Sequence, residues 1–126
     1  MIRNEMKGYS SVVLYDGEEK DFSEIEFNFI CETCGNKANV KLVDGVKISD
    51  IKDEALKTDI LNRTKLNTKD IAGIIFYKTR ENLNPLAKFL SCESCKERYL
   101  LIVGMGEVQP ARYKIVISKI FRLDPN

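Results

Sequence analysis

The chain has 126 residues, with 20 Lys and Arg against 19 Asp and Glu, four cysteines and no histidine. That length suits one ordinary domain with a substantial core, so a single domain over residues 1–126 is expected. The missing histidine excludes Ser-His-Asp and Cys-His catalysis. The balanced charge gives no general pull toward nucleic acid, whose binders gain affinity by neutralising phosphates.

No window approaches the roughly 18 uninterrupted apolar residues of a membrane span. The first residues, MIRNEMKGYSS, lack the apolar core of a signal peptide. The expectation is therefore a cytoplasmic protein without a membrane partner. Disulfides are rare in that compartment, which favours metal binding for the cysteines.

In chain order, YSSVVLY from Tyr9 to Tyr15 reads as the first strand, and Asp16-Gly17 in DGEE as a turn. In FSEIEFNFI, Ile25, Phe27 and Phe29 alternate with Glu24, Glu26 and Asn28, the period of a half-buried strand. Beyond Cys31 and Cys34, the residues Ala38, Val40 and Leu42 alternate again, which places the cysteine pair at the tip of a hairpin ended by Asp44-Gly45. From Ser49 to about Arg63, SDIKDEALKTDILNR is rich in helix formers and predicts a helix capped by Ser49 or Asp50. Leu56 and Ile60 stand one turn apart on it, with Ile51 and Ala55 displaced around the wheel.

NTKD then reads as a break, IAGIIFYK as a largely buried strand, and TRENLNP as a loop, because Asn84 before Pro85 is biased away from helix. The last third predicts a long hairpin. RYLLIVG has the continuous apolar character of a central strand buried on both faces. GMGEVQPA is its connection, and RYKIVISKIFRL returns with Tyr113, Ile115, Ile117 and Phe121 on one face if the strand stays regular. The tail DPN is expected to fray. The fold class is mainly β (α+β): an antiparallel sheet of hairpins with one inserted helix, and a four-cysteine metal site joining two hairpin turns.

The cysteines occur as matched pairs, Cys31 and Cys34 in FNFICETCGNKANVKL and Cys92 and Cys95 in AKFLSCESCKERYLLIVG. Thiolates at i and i+3 on a tight turn bite one metal, and two facing turns complete a tetrahedron. Gly35 suits the left-handed position after such a turn; Lys96 holds the equivalent place in the second. The arrangement resembles the zinc-ribbon class, in its four-cysteine zinc-knuckle form. Ribbons separate their pairs by about 15–20 residues, whereas residues 35–91 intervene here and carry the helix. The resemblance implies a structural Zn2+ held by all four cysteines, which leaves no open position for catalytic water. Four thiolates (−4) around a divalent ion (+2) would move the net charge from +1 to −1. Iron in the same thiolate set is the lesser alternative. Redox-active CxxC pairs are another, although a thioredoxin-like motif belongs at the start of a helix in a βαβ setting.

The remaining polar groups have bland readings. Glu24 and Glu26 form a solvated strand face, and the carboxylates of DIKDEALKTD are solvent-facing helix charges with Lys partners. A GxG without a P-loop lysine or the full GxGxxG is a weak signal, so GMGEVQPARY reads first as a turn. Its sharper reading is a recognition loop presenting Glu107, Gln109, Arg112 and Tyr113 to a protein partner, since Arg and Tyr are favoured interface anchors. KERY (Lys96 to Tyr99) and ARYK (Ala111 to Lys114) could contact a nucleic acid through phosphate pairing and base stacking, against the plainer reading of charges protecting a strand edge. The leading expectation is a non-enzymatic protein-binding module of inhibitor, immunity or adaptor type. A nucleic-acid-binding zinc ribbon is the alternative.

Overall fold

A computed structural model describes residues 2–18 and 24–124. The Glu19 end of the DGEE turn, the Phe22–Ser23 start of the second strand and the Pro125–Asn126 tail lie outside the described residues. Among the described residues the architecture is mainly β, as expected, with one α-helix. A six-stranded antiparallel sheet forms the middle layer. It runs β1 (Ile2–Glu5), β10 (Arg112–Leu123), β9 (Arg98–Gln109), β8 (Asn84–Ser91), β5 (Val46–Lys47), with β2 (Val12–Gly17) also on β10. β1 pairs with the Phe121–Leu123 end of β10 and β2 with its Tyr113–Ile117 end, so the two lie one after the other along one edge.

β9 is the keel. RYLLIVG is buried on both faces: Tyr99, Leu101 and Val103 face one core, Leu100 and Ile102 the other. Each fully buried Leu, Ile or Val contributes roughly 1.5–3 kcal/mol through apolar burial. The hairpin of β3 (Glu26–Ile30) and β4 (Lys37–Lys41) covers the first face with Phe27 and Phe29. The helix α1 (Glu54–Thr64) covers the second with Ile60, assisted by Leu56 and Leu61. Its cap is Asp53, whose carboxylate accepts from the Leu56 N–H at 3.1 Å. Ser49 and Asp50 belong instead to a short 3₁₀ turn, Ile48–Asp50, and Ala55 is exposed.

Other expectations are corrected. β1 is a strand that the sequence pattern does not announce, and the first strand expected at Tyr9–Tyr15 begins at Val12 and runs through Asp16-Gly17. NTKD is not a break and IAGIIFYK is not a buried strand. They form the hairpin of β6 (Asn67–Ile71) and β7 (Ile74–Lys78), which projects so that Ile71, Ile74, Ile75 and Phe76 are exposed. Ala72 and Gly73, both at positive φ (53° and 83°), make its two-residue turn, and Asp70 accepts from the Gly73 N–H.

Asn84 and Pro85 start β8 rather than extending the loop, which places the proline at the beginning of the strand, where it is tolerated. β10 does not stay regular. Its register slips at Ser118, so Ile117 and Phe121 lie on opposite faces, Ile115 and Ile117 in one core and Phe121 and Leu123 in the other.

GMGEVQPA is not a long connection either. β9 runs through both glycines to Gln109, and the turn is Pro110-Ala111 alone. Gly104 is a strand glycine because the Thr79–Leu83 turn packs across it. A Cβ there would lie 2.8 Å from Thr79 Cγ2 and 3.0 Å from Leu83 Cβ. Gly104→Val is therefore expected to destabilise the fold by about 1–3 kcal/mol through overpacking. Urea unfolding checks this, with Gly106→Val as the milder comparison, since the nearest atom to a Cβ at that position is 3.6 Å away.

Candidate metal centre

Two turns meet at one end of the sandwich. Residues 31–36 join β3 to β4, and residues 92–97 join β8 to β9. They are built alike. The Cys31 N–H donates to the Asn36 carbonyl and the Gly35 N–H to the Cys31 carbonyl, both at 2.9 Å; Cys92 N–H to Glu97 carbonyl (2.9 Å) and Lys96 N–H to Cys92 carbonyl (2.8 Å) repeat the pattern. Gly35 and Lys96 both take left-handed backbone, φ 76° and 65°. The lysine thus adopts the conformation that glycine supplies in the first turn.

The four Sγ atoms lie within 4.8 Å of one another. Two approaches run between the turns, Cys31 to Cys95 at 3.6 Å and Cys34 to Cys92 at 3.5 Å. A tetrahedron with metal–sulfur bonds of about 2.3 Å has edges of about 3.8 Å; a disulfide would need about 2.05 Å. All four cysteines are free thiols, Cys31 and Cys92 buried, Cys34 and Cys95 at the surface. The cluster could hold a metal ion, and its sulfur set fits zinc or iron.

The protons on the sulfurs show what a cation would do there. Burial pushes the Cys31 thiol up, but the Tyr99 hydroxyl and the N–H groups of Cys34 and Thr33 outweigh it and bring it to about 6. The Cys95 N–H, with smaller help from Ser94, lowers Cys92 against burial. The other two are raised. The Asn36 N–H favours the Cys34 thiolate, but the Cys92 sulfur and burial overcome it. The Glu97 N–H favours the Cys95 thiolate, yet burial and the sulfurs of Cys31, Cys92 and Cys34 push it to about 12. Four thiolates this close repel each other, and a cation among them would offset that charge.

Two residues of the KERY segment, which the sequence did not connect with the metal, complete the site. Tyr99 is wholly buried. Its hydroxyl lies 3.2 Å from Cys31 Sγ and accepts from the Glu32 N–H at 3.1 Å. Burial and the Cys31 sulfur raise it to about 12, so it keeps its proton to donate. Glu97 accepts from Arg3 at 3.2 Å and from Arg122, fastening the second turn to β1 and β10. The available signals were weak: a polar-tipped aromatic in an apolar run, and an acid following a CxxC turn.

Tyr99 is therefore closed to the base stacking read into KERY. The hairpin end carrying Glu107, Gln109, Arg112 and Tyr113 lies roughly 30 Å along β9 from Tyr99, at about 3.3 Å per residue. The register sets Gln109 opposite Arg112 and Glu107 opposite Tyr113. The Arg112 guanidinium grips Asp16 at 2.7 and 2.9 Å and holds that carboxyl below its usual range.

No protein-family model matches the chain, no curated protein does, and no solved structure does. Among the described residues, no helix is long and apolar enough to cross a membrane.

Proposed function

We propose that the protein is a non-enzymatic protein-binding module whose metal site is a structural Zn2+ centre. The observation that carries this reading is the convergence of all four cysteine sulfurs within 4.8 Å at the tips of two separate hairpins. Such a set closes the coordination sphere, leaving neither an open position for substrate nor a free thiol nucleophile. When bound, the ion supplies cross-linking and charge compensation. The chain's own groups then hold the sulfurs: N–H donors of each turn, the Tyr99 hydroxyl, and Glu97 tied to Arg122.

The exposed apolar side chains of β6–β7 support protein binding, because grouped apolar surface of this kind marks interaction sites. The near-zero net charge and the burial of Tyr99 weigh against a nucleic-acid role.

Metal analysis of untagged protein is expected to give one zinc per chain and no visible absorption; a coloured iron–thiolate preparation would replace zinc by iron. Capture from a lysate of the source organism is expected to recover a protein at a fixed ratio, unaffected by nuclease. Recovery of nucleic acid alone, or of nothing, would overturn the module reading.

A further inference from the structure

Between the two hairpins that the metal site joins lies a groove of about 630 Å³. Its walls are strand edges. Among the described residues, β4 pairs with β3 on one side only. β8 pairs with β9 along its length, but on its other side β5 covers only Leu86 and Ala87. Among the described residues, the outer edge of Lys88–Ser91 has no strand partner. The chain turns away from that edge at Gly45 and Asp44, the latter at φ 63°. Unpaired edges of this kind accept an added strand.

The side chains specify what could be added. Ala38 and Val40 stand opposite Phe29 and Phe27 on the inward face of the hairpin, and with Leu90 they give the groove an apolar lining. Lys37 and Lys41 border it from the other face of β4, opposite Ile30 and Glu26, and Lys88 lines it from β8, with Glu93 the one acid in its lining. Lys88 Nζ donates to the Val43 carbonyl and ties the two walls together at one end; Cys31 and Cys92 lie at the other. A metal bound by the four cysteines would therefore set the groove's width. The same lysines oppose pairing between two copies of the chain, because their charges would meet.

We propose that this groove binds an acidic, extended peptide of a partner protein, which adds as a strand to the free edge of β8 at Lys88–Ser91 with apolar side chains on Ala38, Val40 and Leu90. This rests on the protein-binding reading above and names the partner's chemistry. Recognition would combine main-chain hydrogen bonds with charge attraction to the lysines.

The probe is a fluorescein-labelled peptide of alternating Glu and Val, titrated into metal-loaded protein and followed by anisotropy and by amide shifts. Binding is expected to weaken with salt, to fall roughly tenfold or more when Lys replaces Glu in the peptide, and to vanish when alternate peptide amides are N-methylated. Amide shifts should concentrate at residues 88–91. The double variant Lys37→Glu and Lys41→Glu alters two exposed side chains; it should keep its metal and lose peptide binding by roughly tenfold. Equal binding of acidic and basic peptides, indifference to N-methylation, or an unaffected double variant would overturn the proposal. So would a peptide-competed dimer, which would assign the edge to a second copy. If the double variant still captures the protein recovered by wild type while the peptide fails, the groove assignment falls and the module reading stands.

Discussion

Cys34→Ser is expected to release the metal and to destabilise the whole domain, lowering its unfolding midpoint steeply. The position isolates the metal's contribution because Cys34 is exposed, so exchanging sulfur for oxygen removes little packing. What disappears is one of four ligands. A structural zinc bound there would contribute on the order of 10–16 kcal/mol of apparent binding free energy, against a net stability of roughly 5–15 kcal/mol for a whole domain. The ion also joins segments separated by residues 35–91, so losing it frees the β3–β4 hairpin, whose Phe27 and Phe29 close one core over β9. Metal content and thermal unfolding with and without chelator check the outcome. Chelator should bring the wild-type transition down to that of the variant and leave the variant unchanged. A variant with wild-type metal content and midpoint would refute the site.

The parts legible in the sequence were those where one local signal sufficed. Period-two alternation located Phe27 and Phe29, continuous apolar character located β9, and the paired CxxC turns located the metal site. What escaped depended on contacts made elsewhere in the chain. IIFY reads as an apolar run much as LLIV does, yet it pairs with β6 through the positive-φ turn at Ala72-Gly73 and leaves Ile74, Ile75 and Phe76 exposed. Gly104 looked like loop punctuation; it is a strand residue with the Thr79–Leu83 turn packed on it. The slip at Ser118 that turns Phe121 to the opposite core carries no marker in RYKIVISKIFRL.

The metal site and the core are joined most closely at Tyr99. Its position in β9 follows from burial, and its hydroxyl then falls beside Cys31 and Glu32. Tyr99→Ala is expected to cost about 3–5 kcal/mol, the range for removing a large buried aromatic. It removes a ring that meets Phe29 edge-on at 4.8 Å and 70°. Tyr99→Phe separates the two roles. The ring and its contact with Phe29 remain, while the Cys31 sulfur loses a donor and the Glu32 N–H loses its acceptor. The cost expected is about 1–3 kcal/mol for the orphaned polar group, together with metal affinity roughly 10–100-fold weaker, as for other groups that hold a metal ligand in place. Chelator competition measures the affinity and urea unfolding the stability. If the phenylalanine variant held its metal as tightly as wild type, the hydroxyl would be a packing accident. Weakened metal binding with the edge-on ring pair intact would make Tyr99 the residue through which the core orients the sulfur.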